Sequence, residues 1–135
     1  MAFIGMLCPC GRLNVKNRIV AYDDCCGRFL DHVEIPSFDA EHLMRSRYSA
    51  FVLEHADYLL ATWHASTRPQ SLSFETNTKW LGLQIREHKT TGVDTAEVEF
   101  VARYRGVGSK ELNDTGRAVR MHERSRFVRE AGRWY

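Results

Sequence analysis

Every cysteine in the chain lies between Cys8 and Cys26: Cys8, Cys10, Cys25 and Cys26, as C-P-C-G and then C-C-G. Four thiols at that density constrain the N-terminal segment more than any apolar pattern does. Residues 1–30 carry little apolar periodicity, and a segment so short cannot bury enough apolar surface to fold alone. Something must tie the two cysteine pairs together or to the rest of the chain. Neither pair can close an unstrained disulfide on itself, because its members are too near in sequence.

Three readings compete for the thiols. Disulfides between the pairs are geometrically open, but they are rare in a reducing compartment. Four independent thiols would have no reason to cluster. A single tetrahedral zinc held by four thiolates gives the cluster a purpose and joins two short turns into one unit, and it is the reading favoured here. Pro9 stiffens the first turn, and Gly11 and Gly27 leave room for backbone amides near the sulfurs.

The compartment follows from what the chain lacks. Its opening MAFIGML is apolar but short, with no basic residue before it and no small-residue cleavage site after it, so a secretory leader is not expected. No run approaches the ~20 apolar residues of a membrane span. The cytoplasm is the default, with no membrane partner. A net charge of +2 over 135 residues gives no ground for a nucleic-acid partner.

Beyond the cysteines the pattern divides. Residues 36–68 read as helical. Ser37 or Asp39 can cap the first turn, Met44, Tyr48, Phe51, Val52 and His55 recur at helical spacing, and Asp57 can cap a second helix carrying Tyr58, Leu59, Leu60 and Trp63. Residues 72–135 read as strands. In WLGLQIRE, Leu81, Leu83 and Ile85 alternate with Trp80, Gly82 and Gln84. In TAEVEFVARYR, Ala96, Val98, Phe100, Ala102 and Tyr104 share one face. In RAVRMHERSRFVRE, Val119, Met121, Glu123, Ser125 and Phe127 share one face, with Arg120, His122, Arg124 and Arg126 on the other. Turn chemistry stands at Gly106-Val-Gly108, at Asn113–Gly116 and at Ala131-Gly132. Helices followed by strands without helical crossovers predict an α+β fold, the helices packed on an antiparallel sheet.

Some polar residues sit where apolar ones are expected. Glu123 interrupts an apolar strand face, and a buried carboxylate is costly unless paired. An ion pair with Arg45 or Arg47 of the first helix is the favoured explanation, an acid/base role in a pocket the other. His64, at the end of the second helix, is read as interacting with the helix dipole ahead of a pocket role. Arg47 and Tyr48 complete the pocket candidates. The arginine row with His122 is read as a solvated face, neutralised by Glu97 and Glu99 from the neighbouring strand, ahead of a surface for RNA or an acidic protein.

The motif CPCG…CCG resembles the SEC-C zinc motif, in which C-x-C is followed by C-C or C-H. All four ligand positions match, although the segment from Gly11 to Asp24 is longer than the usual spacer. The runs AEHLMRSRYSAFVLEHADYLLATWHASTR, WLGLQI and HERSRFVREAGRWY are similar to the YchJ family of bacterial proteins. That resemblance implies a SEC-C-like motif over residues 1–30 and a cone-like nuclear-transport-factor-2-like domain over residues 31–135, with helices on a curved antiparallel sheet around a pocket. It implies zinc on Cys8, Cys10, Cys25 and Cys26, and a protein partner meeting the zinc knuckle, with the Lys16-Asn17-Arg18 run as the surface to watch. The expected role is that of a binding or adaptor protein. The alternative is a small-molecule enzyme, isomerase- or dehydratase-like, using Arg47, Tyr48, His64 and Glu123 in the cone pocket.

Overall fold

The computed structural model describes residues 6–74, 78–106 and 118–135. The turn signals at 107–108 and 113–116 lie outside the described residues. After a 3-10 turn at Tyr22–Asp24 come the helices α1 (Gly27–Leu30), α2 (Ala40–Leu53) and α3 (Ala56–Ala61). The strands β1 (Thr78–Gly92), β2 (Thr95–Gly106), β3 (Val119–Glu130) and β4 (Arg133–Trp134) follow. They form one antiparallel sheet in the order β1-β2-β3-β4. The architecture is the expected α+β one, a curled antiparallel sheet carrying few helices. None of the described helices is long and apolar enough to cross a membrane.

Asp39 starts α2. Its carboxylate accepts the His42 backbone N–H at 2.8 Å and meets the His42 ring at the same distance. Burial opposes the charge on Asp39, but the hydrogen bonds from His42 prevail and hold its carboxyl down to about 2. Glu54, in the left-handed conformation, ends the helix. The second helix departs from expectation at its start. His55 occupies the cap position without a side-chain bond, and Asp57 falls inside the first turn.

The inner face of the sheet follows the alternation of β2 and β3. Ala96, Phe100 and Ala102 stand opposite Phe127, Glu123 and Met121. Directly opposed residues share a face, so Glu123 lies on the side of Met121 and Phe127, but it is exposed there and is not the buried carboxylate expected, because the open cavity leaves it in contact with solvent. Strand β1 behaves differently. Register shifts between Trp80 and Gly82, Ile85 and Glu87, and Thr90 and Gly92 bend it. The first shift carries Trp80 onto the side of Leu83 and Ile85 and leaves Leu81 39% exposed. Simple alternation had set Trp80 against Leu83. Bulges of this kind increase local twist and curl a sheet.

Two clusters make the core. Ala40 and Leu43 from the start of α2 meet Ala96, Val98, Phe127 and Trp134. Trp134 returns to the core through a two-residue turn at Ala131 and Gly132, both at positive φ, the geometry that matches strand twist in a hairpin. The second cluster joins Tyr48, Ala50, Tyr58, Leu59, Phe100 and Ala102 to Tyr22, Phe29, Leu30 and all four cysteines. The N-terminal segment is thus packed into the core of the domain rather than tethered beside it.

The opposite face of the sheet is a charge lattice. Arg124 pairs with Glu87, with Glu97 at 2.6 Å and with Glu99 at 3.5 Å, and His122 meets Glu99 at 2.6 Å. The basic row is neutralised by its own neighbours at Arg124 and His122, which is the arrangement the sequence suggested.

Candidate metal centre and cavity

The segment 11–24, long for its motif, folds as a hairpin. The Cys8 N–H donates to Val20 O, the Tyr22 N–H to Met6 O and the Val20 N–H to Arg12 O, each at 2.9 Å. Isolated bridges join Leu7 to Ala21 and Leu13 to Ile19. At the tip, the Asn14 side chain accepts the backbone N–H groups of Lys16 and Arg18, an Asx-type turn. The extra residues therefore lengthen the hairpin without separating the cysteine pairs. Gly11, at φ +73°, makes the turn after the first pair, and its N–H donates to Cys8 O. Gly27 serves a different end from the one expected. A Cβ there would stand 2.8 Å from Tyr22 O and 2.9 Å from the Tyr22 ring, so its role is close packing under Tyr22.

The four Sγ atoms lie within 4.8 Å of one another, and all four residues are buried. No disulfide is formed. The Cys8–Cys10 and Cys10–Cys25 sulfurs are 3.5 and 3.6 Å apart. A tetrahedral metal with metal–sulfur bonds of ~2.3 Å has sulfur–sulfur edges of about 3.8 Å, close to these separations and far from a covalent S–S bond.

Charge balance gives the same answer. Four thiolates around a divalent ion leave two negative charges, and two guanidiniums answer them. Arg12 Nε donates to Cys25 Sγ at 3.2 Å, and Arg45 Nη1 reaches Cys10 O at 3.3 Å and Cys10 Sγ at 3.9 Å. Ser49 Oγ lies 3.6 Å from Cys8 Sγ. Among the sulfurs themselves, the contact with Cys10 holds the Cys8 thiol down to about 6 and Cys25 lower still, the latter helped by Arg12. The contact with Cys25 pushes Cys10 up, and the contact with Cys10 pushes Cys26 up. A metal ion would take the place of the remaining protons. The residues fit a metal site.

The four pocket candidates come together elsewhere, along a cavity of about 560 Å³ between α2, the segment after α3 and the inner face of the sheet. Tyr48 meets Trp80 edge-on at 5.6 Å, and burial pushes its hydroxyl up to about 12. Glu123 lines the cavity but pairs with neither arginine proposed for it. Arg45 is committed to Glu41 at 3.0 Å. Arg47 donates through Nη1 to Thr62 O at 2.9 Å and Thr62 Oγ1 at 3.3 Å, and its guanidinium lies over the Trp63 ring at 4.9 Å. Burial lowers Arg47 to about 10, still charged at neutral pH. His64 stands beyond the end of α3, and neither the helix dipole nor the cavity claims its nitrogens. Nε2 meets Glu130 at 2.9 Å and Nδ1 meets Ser66 Oγ at 2.6 Å. The sequence reading missed this tie to Glu130, which depends on the register of β3 against the loop after α3.

The fold and site define a class: a curled-sheet α+β domain with a buried four-cysteine centre packed against its principal helix. Residues 39–135 match the family described as "YchJ, middle NTF2-like domain", and the chain belongs to the YchJ family. A UPF0225 protein from Polaromonas sp. strain JS666 is 58% identical over 132 residues, spanning 97% of this chain and 90% of that one. One from Xanthomonas campestris pv. campestris is 51% identical over 130 residues, spanning 95% and 89%. Among solved structures, a SEC-C motif containing protein from Psychrobacter arcticus superposes with a TM-score of 0.78 at 30% identity, covering all of this chain and 82% of that one. Another from Rhodopseudomonas palustris gives 0.73 at 32% identity, covering 96% and 94%.

Proposed function

We propose that the chain is a zinc-binding protein whose metal is structural, and that it works as a binding or adaptor protein through the hairpin the metal braces. Soft thiolates in a tetrahedral set suit zinc. Four of them fill its coordination shell, leaving no position for substrate. When bound, the ion would supply folding energy and fix the hairpin. Arg12 and Arg45 would orient the thiolates and offset their charge, and Ser49 would support Cys8. Reduced thiolate ligands suit a reducing compartment, and we assign the protein to the cytoplasm.

The observation that carries the adaptor reading is the hairpin surface. Val15 is fully exposed, and Leu7, Leu13 and Ile19 are exposed beside it, with Lys16 and Arg18 at the tip. Apolar side chains that the core does not use, edged by two cations, suit an acidic protein surface with apolar contacts. The test is cross-linking in cell extract with the metal-loaded protein. A partner captured by the wild type should be lost with Val15→Asp and with Lys16→Glu, and kept with Arg47→Gln. If no captured protein depends on Val15 or Lys16, the adaptor reading fails.

The cavity supports a second reading, a small-ligand site. As an enzyme site of the isomerase or dehydratase type it is weakened at His64, whose ring nitrogens are both engaged, so Glu123 would stand as acid/base without a histidine partner. Holding a ligand asks less of the same residues.

A further inference from the structure

The cavity has one feature its apolar wall does not require. Tyr48, Phe51, Trp80, Phe100 and Met121 line it with apolar surface. Arg47 is nevertheless placed among them, and no carboxylate pairs with it among the described residues. Its only hydrogen-bond partners there are the two neutral oxygens of Thr62, both reached by Nη1. The donors on Nε and Nη2 make no bond among the described residues. Arg47 is half-buried, and its Nε and Nη2 are not among the fully buried unpaired atoms, so both donors stay reachable from the cavity. The Thr62 bonds and the Trp63 ring fix the plane of the guanidinium, so its free edge is held ready for a planar, two-oxygen acceptor.

Resting on the small-ligand reading of the cavity, we propose that its ligand is a monocarboxylate on a flat apolar body. The carboxylate pairs with the free edge of Arg47 and the body lies against Trp80, Tyr48 and Phe100. Glu123 sets the charge. Its carboxylate stands exposed on the wall of the same cavity without an ion-pair partner among the described residues, which disfavours a second negative charge on the ligand. A phosphate, with nearly two charges at neutral pH, suits this cavity less well than a single carboxylate does.

The experiment uses the metal-loaded full chain, titrated with naphthoate and with its neutral twin naphthamide. It is followed by calorimetry and by the NMR shifts of the Trp80 indole and the Met121 methyl. Naphthoate should shift both signals and bind at least about tenfold more tightly than the amide, the scale of a charge-assisted pair. Arg47→Gln should erase that preference, Arg47→Lys should restore part of it, and Glu123→Gln should bind naphthoate more tightly. Equal binding of acid and amide by the wild type would overturn the carboxylate assignment while leaving a ligand cavity standing. If neither compound moves the cavity signals, both the assignment and the small-ligand reading fall. The wild-type comparison does not depend on any variant folding.

Discussion

Arg45 and Arg47 stand two residues apart on α2 and live under opposite electrostatics. Arg45 faces the cysteine centre, where Glu41 pairs with it and Cys10 accepts from it. Arg47 faces the cavity, where two neutral oxygens and an indole ring are its surroundings. The first is part of a balanced structural unit. The second has no carboxylate partner among the described residues. One helix thus closes a four-cysteine centre on one side and walls an open cavity on the other. The contrast teaches that a half-buried cation indicates function only after its partners are counted.

The comparison breaks most visibly at the cysteines. Cys10→Ser removes one thiolate from the centre and leaves Arg45 beside a neutral side chain. Because the sulfurs are part of the core, the loss should reach the whole domain and not the hairpin alone. Thermal unfolding should fall by more than about 10 °C, since metal binding supplies folding free energy directly. A chelator should move the wild type in the same direction. A Cys10→Ser protein with unchanged melting would show that the centre is incidental to the fold.

Arg45→Gln sharpens the contrast at smaller scale. It should weaken metal retention by about 10–100-fold, the usual effect of removing a side chain that supports a ligand, as read by competition with a colorimetric chelator. Arg47→Gln should leave metal retention unchanged.

Asp39→Ala removes the cap of the helix that carries both arginines and should cost about 1 kcal/mol. The pH dependence has a definite sign. The folded carboxyl, at about 2, lies below its unfolded value near 4. Its contribution is therefore full above about pH 4 and disappears as pH falls toward 2. Melting curves of wild type and Asp39→Ala should converge over that window. Arg47→Met is expected to have the smallest effect. An apolar side chain in place of an unbalanced cation should change stability by less than about 1 kcal/mol in either direction, measured by urea denaturation. A large loss there would make Arg47 structural and cancel the contrast.

Much of this architecture was legible in the chain itself. The cysteine spacing, the cap at Asp39, the faces of β2 and β3 and the Glu97–Arg124 pairing all express local periods or fixed turn chemistry. The side of β1 on which Trp80 lies was misread, because the bulge at Gly82, at φ +146°, resets the alternation, and that strand glycine was the one signal that could have marked it. The burial of Ser46 and Ser49 was not legible. Ser46 Oγ bonds the Tyr58 hydroxyl at 2.7 Å and Ser49 abuts Cys8. Both are small so that α3 and the sulfurs can approach α2, which no helical stripe of large apolar residues would reveal. Glu123 stands on the strand face where alternation set it, but it is exposed there, so the buried carboxylate the sequence predicted is not found. The arginine pairing expected for Glu123 does not form, because Arg45 pairs with Glu41 one turn back on the same helix and Arg47 turns to Thr62 beyond α3.

The central claim is that the four cysteines form one closed zinc centre that holds the hairpin onto α2. Metal analysis with X-ray absorption at the zinc edge on the purified chain tests it most directly. The prediction is one zinc per chain with four sulfur neighbours at about 2.3 Å and no nitrogen or oxygen ligand. A well-folded, metal-free chain, or a metal bound by fewer than four sulfurs, would contradict it.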